Sequence, residues 1–222
     1  MRNSLGPLTP FNPPNMAALR DYNVNRPGQV EVIWQPLYDY QVYPLAGVAQ
    51  MTFFQTTVGT GGLTLSNTNM EAAGQMPRPK EMLVTGIQVF YAPGNAVAQT
   101  TVGATAQENW NDVSDVMDGL ANLQFFVGSK DYLRDGPLSK FTQQFRLDGV
   151  ADSAVIGTNA TPIGTLVDYA THSGRYYSIT PVKLPSNQNF NVTLNFTPAV
   201  IPTLTDGRIG VILDGFQYRL SQ

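Results

Sequence analysis

The sequence predicts an all-β fold: a single eight-stranded jelly-roll (Greek-key β-sandwich) with an extended N-terminal arm and two short helices in its loops. Three observations carry this. Runs such as Phe190-Asn191-Val192-Thr193-Leu194-Asn195-Phe196 alternate apolar and polar residues with the period of two of a half-buried strand. About eight such runs fall between residues 47 and 220, and the long connections between them favour a Greek key over a simple meander. No βαβ alternation with a phosphate fingerprint is present, which disfavours a doubly wound sheet. The division expected is an extended Pro-rich arm over residues 1–45 and a β-sandwich over 46–222.

The arm comes first. Pro7, Pro10, Pro13, Pro14 and Pro27 each remove a backbone donor and hold the preceding residue extended, so neither a packed helix nor a central strand fits there. Leu5, Leu8, Phe11, Met16, Leu19 and Tyr22 are nonetheless too apolar for a solvated tail. Two readings stand: an arm that lies over a neighbouring subunit through these six residues, with Leu8, Phe11 and Tyr22 touching another chain, or an arm wrapped on its own domain. Arg2, Arg20 and Arg26 are its cations, too few for a genome-binding arm.

Val30 to Trp34 and Leu37 to Tyr43 read as short extended pieces broken by Pro36 and Pro44. Tyr38, Tyr40 and Tyr43 have no basic residues between them, so a buried or interface role fits better than a base-stacking platform. Val48 to Gln55 is a strand. Gly59-Thr60-Gly61-Gly62 is a turn and not a phosphate cradle, because no Lys-Ser/Thr follows it. Glu81 to Tyr91 is a second strong strand, stopped by Pro93-Gly94-Asn95. Trp110, Val113, Met117 and Leu120 recur at helical spacing, with Asn109 as cap and Gly119 as stop, which places Asp112, Asp115 and Asp118 on a solvated face. Those three acids read as that face rather than as a calcium site.

Leu123 to Gly128 is a strand, and Phe141, Phe145 and Leu147 continue an extended segment. Thr161-Pro162 followed by Ile163, Leu166, Val167 and Ala170 reads as a capped helix ending before Gly174, with His172 as a C-terminal or surface residue. Tyr176 to Leu184 and Phe190 to Phe196 are strands. The three Asn-x-Thr triplets at 159, 191 and 195 read as chance, since the N-terminus carries no stretch of signal-peptide length. The run from Arg208 to Leu220 is the most strand-like of all; its phase shifts at Asp214-Gly215, which predicts a bulge, and its length predicts a place inside a sheet.

Composition limits the chemistry. The 222 residues include no cysteine and one histidine, which removes disulfides, thiolate chemistry and the two-histidine metal sites of jelly-roll oxygenases. A serine triad would have to use His172, and no Gly-x-Ser-x-Gly elbow is present. Paired carboxylates for glycoside hydrolysis remain open in principle, but the 16 acids lie mostly near turns or helix faces. No catalytic, cofactor-binding or metal residues are assigned, and the chain is read as a non-enzyme without a cofactor. Charged residues are only 13%, about half the usual share. So neutral a surface suggests that much of it faces other protein. The net charge of -3 also argues against direct, sequence-specific nucleic-acid binding.

The segments Leu184 to Phe196, Arg208 to Arg219, and Phe126-Val127-Gly128-Ser129-Lys130 with Pro137-Leu138 resemble predicted structural proteins of environmental bacteriophages. Over roughly residues 30 to 222 the chain resembles the jelly-roll coat proteins of small tailless icosahedral phages. The resemblance implies a major capsid protein made in the host cytoplasm and located in the virion. Its partners would be many copies of itself, as pentamers and hexamers or as trimers in a shell, and other capsid proteins, with arms exchanged between subunits. A phage spike or lectin-like sandwich, presenting Trp110, Tyr132 or Tyr169 to sugar rings, is the alternative.

Overall fold

The computed structural model describes residues 30–93, 112–141, 148–155, 162–169, 177–201 and 206–220. The described residues are mostly strands, in two antiparallel sheets with little helix. The strands are β1 (Val30–Trp34), β2 (Leu37–Tyr43), β3 (Gln50–Phe53), β4 (Glu81–Ala92), β5 (Ala121–Val127), β6 (Lys130–Asp135), β7 (Asp148–Val155), β8 (Pro162–Tyr169), β9 (Tyr177–Leu184), β10 (Phe190–Phe196) and β11 (Gly207–Leu220). A helix, α1, spans 112–118. The larger sheet runs β1-β11-β4-β9, with β2 also on β11; the smaller runs β3-β10-β5-β6; β7 and β8 form a hairpin.

β11 is the interior strand that its sequence predicts. Its first half pairs with β2, its second half with β1, and its other edge with β4 along nearly its whole length. The register slips between Asp214 and Gly215, where the alternation shifts phase. Residues 30–43, inside the stretch expected as arm, are therefore paired into the larger sheet.

The core lies between the two sheets. Met82, Val84, Ile87, Val89, Val211 and Leu213 face Met51, Phe53, Leu123, Phe125, Val192 and Leu194, all buried. At one end Tyr43 meets Tyr91 and Phe196 edge-on, with centroids 5.8 and 5.2 Å apart; at the other Phe54 tilts against Phe190 at 5.6 Å. β11's phase shift puts Phe216 and Tyr218 on the opposite face, where they join Val32 and Leu83 in a second, small apolar cluster.

Two helix expectations need correction. Pro162–Tyr169 is strand β8, paired with β7 in continuous register, and not a helix. The i, i+3, i+4 spacing of Ile163, Leu166 and Val167 is real, but the segment also holds Thr165 and Gly164, poor helix formers, and Pro162 is tolerated as the first residue of a strand. The helix near 110–120 exists, but its faces differ from expectation. Asp112 is buried and Leu120 is 76% exposed, while Asp115 and Asp118 are exposed as expected. The helix ends at 118, before Gly119, so Leu120 lies beyond the last turn and does not continue the apolar stripe of Val113, Val116 and Met117.

Candidate assembly surface

The six arm residues assigned to inter-subunit contact, Leu5, Leu8, Phe11, Met16, Leu19 and Tyr22, lie outside the described residues, as do Asn109, Trp110 and His172.

The sandwich has two sides where the sheets' edge strands meet, and they differ. On one, β2 faces β3 and the sheets are stitched by buried polar groups. Asp39, 1% exposed, accepts from the backbone N–H of Phe54 at 2.7 Å and from Gln41 Nε2 at 3.2 Å, and Gln41 Nε2 also donates to the Thr52 carbonyl at 2.9 Å. Phe54 has a φ of 69°, a left-handed geometry that a bulky residue keeps only when its surroundings fix it, here the Asp39 bond and a fully buried ring. Burial pushes the Asp39 carboxyl above the usual range, against the lowering effect of the Phe54, Gln41 and Thr68 hydrogen bonds.

On the other side β6 and β9 are the outer strands of their sheets, and between them lies an open groove of about 610 Å³. Its walls include Tyr132, Leu133, Tyr177, Ile179, Pro181 and Val182. One point closes it: Tyr177 donates its hydroxyl to Asp135 at 3.0 Å, and Asp135 also pairs with Lys140 at 2.8 Å. Lys140, the Gly136 N–H and Tyr177 together hold the Asp135 carboxyl below its ordinary value. Pro181 cannot donate to a ladder, and the β4–β9 register slips beside it, between Val84 and Gly86.

The outer face of the smaller sheet is a ladder of neutral amides and hydroxyls. Gln50 Nε2 donates to Asn195 at 2.8 Å, and Asn195 Nδ2 donates to Asn122 at 3.0 Å. Thr52, Thr193 and Gln124 make the next row. On the outer face of the larger sheet Tyr40 covers Gly210, meets Phe90 edge-on at 5.9 Å, and carries the Arg208 guanidinium 4.3 Å above its ring. Tyr38 and Tyr40 are thus half-buried in this cluster and Tyr43 is core, which agrees with reading them as buried or interface residues.

Most of the described cations are matched locally. Lys80, Arg134, Lys140, Lys183 and Arg219 each pair with a carboxylate. Apolar exposure is the contrasting feature: Trp34, Val42, Leu65, Leu120 and Ile201 are each more than 60% exposed, and Tyr132 is 49% exposed. Among the described residues there is no group of three or more His, Cys, Asp or Glu placed to hold a metal, and no helix long and apolar enough to cross a membrane. Comparison of the chain with protein-family models, with curated proteins and with solved structures finds no match.

Proposed function

We propose that this chain is a structural virion protein, a coat protein that assembles with copies of itself, and with other capsid proteins, into an icosahedral phage shell, and that its sandwich is a jelly roll. The observation that carries the reading is the strand order. Setting aside β1, which extends the β2 edge, and the β7–β8 hairpin between β6 and β9, the sheets run β2-β11-β4-β9 and β3-β10-β5-β6. This order supports the reading, because two interlocked Greek keys would likewise make the first and last strands neighbours. Jelly rolls also serve other functions, so the assembly role rests on the surface: few charges, most of the described cations already paired, and large apolar side chains left in water. Interfaces burying ~2,000 Å² or more would cover such side chains.

Sedimentation and negative-stain imaging of the purified chain test this. Very large closed particles are expected; a monomer at high concentration overturns the reading. Deleting residues 1–28 is expected to abolish normal shells, and normal shells from that deletion would remove the arm from the assembly. A lectin-like module is the second reading, favoured by the amide ladder of Gln50, Asn195 and Asn122, whose paired donors and acceptors suit sugar hydroxyls. It predicts retention on a glycan column by a monomer or small ring.

A further inference from the structure

We propose that the β6–β9 groove is the receptor for the arm of a second copy, and that the arm enters it as a polyproline II helix through Leu5, Leu8 and Phe11. This rests on the assembly reading above and names the site that joins the copies. The arm's sequence from residue 5 is Leu-Gly-Pro, Leu-Thr-Pro, Phe-Asn-Pro: three triplets, each opening with a large apolar residue and closing with proline. A polyproline II helix has three residues per turn, so this spacing lines Leu5, Leu8 and Phe11 along one edge and Pro7, Pro10 and Pro13 along another. Prolines at that interval pre-set the conformation, and the ordering entropy lost on docking is correspondingly small.

The groove has the complementary chemistry. Polyproline II ligands dock in grooves walled by aromatic and apolar side chains, and here Tyr132 and Tyr177 stand with Ile179 and Pro181. Both flanking strands are the outer strands of their sheets, so backbone groups along the rim can bond the arm's carbonyls, which in this conformation have no internal partners. Charge is matched by absence. Residues 3–19 carry no charged side chain, and charges at the groove are already engaged, Lys183 by Glu81 at 2.8 Å and Asp135 by Lys140 at 2.8 Å. Reach is ample: 29 residues precede Val30, and at about 3.1 Å per residue a polyproline II segment of that length spans roughly 90 Å. On the β2–β3 side Asp39 and Gln41 instead bridge the two sheets with hydrogen bonds.

The absence of cysteine makes the test direct. Two full-length variants, Leu8→Cys and an affinity-tagged Tyr132→Cys, are mixed, assembled and oxidised, and tagged-to-untagged dimers are counted on a non-reducing gel. A Gln124→Cys variant, on the outer face of the smaller sheet, replaces Tyr132→Cys as the control. The expected result is at least tenfold more Leu8–Tyr132 than Leu8–Gln124 dimer. A parallel Pro7→Ala, Pro10→Ala, Pro13→Ala chain bearing Leu8→Cys is expected to cross-link several-fold less, although its apolar side chains are intact. Equal yields at both positions overturn the proposal. Sedimentation of the same mixtures separates the two claims: large particles without the Leu8–Tyr132 link sink the groove and leave self-assembly standing, whereas monomers throughout sink both.

Discussion

Gly210 and Gly215 sit five residues apart in β11 and exclude a side chain for different reasons. A Cβ on Gly210 would strike the ring of Tyr40, which is held down by Phe90 and the Arg208 guanidinium but can swing outward. A Cβ on Gly215 would strike the Leu83 carbonyl, part of the β4 backbone at the bulge, which cannot move without breaking the ladder. Gly210→Ala should therefore cost about 1–3 kcal/mol and Gly215→Ala more than that, read from urea midpoints; equal costs would mean that the bulge is softer than its contacts imply. The buried carboxyls give a pH signature. Asp39 and Asp214 both have folded pKa values raised by burial above the ordinary 3.8, Asp214 in spite of its bond from Gln88. As pH rises from 3.8 toward those values the unfolded chain ionises first and binds fewer protons than the native state, so stability falls through that window. Asp135, whose pKa is lowered, acts in the opposite sense: its contribution is present above 3.8 and fades as pH drops below it. Unfolding free energy measured between pH 4 and 7 should accordingly decline less steeply in Asp214→Asn than in the parent. Identical slopes would show that Asp214 is as easily ionised folded as unfolded.

Among elements, β10 separates the two kinds of face most cleanly. Leu194 is fully buried between the sheets while its neighbour Asn195 holds Gln50 and Asn122 on the outer face. Leu194→Ala should cost about 2–5 kcal/mol, from lost transfer energy and a cavity. Asn195→Ala should cost about 1 kcal/mol or less, since its partners can turn to water. Thermal unfolding of the pair checks this, and the reverse order would put the core on the wrong face. The same alternation explains why β10 and β11 were legible in sequence: each faces two environments, and a period of two records both. β8 was misread because its apolar positions satisfy a helical template as well as a strand, and the choice is made by its partner β7, an Ala- and Gly-containing run with no pattern of its own. Asp112 was misread because the helical spacing of Val113 and Met117 could not say that a residue on the polar side of that spacing is covered by its surroundings. The β6–β9 groove was invisible for a deeper reason: Tyr132 and Tyr177 are 45 positions apart and become neighbours only when edge strands of different sheets are brought side by side.

At the scale of the whole molecule, the surface sets which force can hold copies together. Long-range attraction between charges is screened within about 10 Å at 0.1 M salt and about 3 Å at 1 M, so a shell held by charge loosens as salt is added. This chain has few charges to offer and spends most of its described cations on ion pairs within its own body. In the proposed assembly its exposed apolar residues, from Trp34 and Val42 on β1 and β2 to Tyr132 at the groove, would join copies by removal of apolar surface from water instead. That force is indifferent to simple screening, strengthened by sulfate and weakened by cooling. Light scattering over a concentration series should thus give an assembly threshold that moves less than about threefold between about 0.1 and 1 M NaCl, falls in sulfate, and rises on cooling toward 4 °C. A threshold that climbs tenfold or more with NaCl and ignores temperature would place the holding contacts on charged pairs, and the low charge of the sequence would then need another explanation.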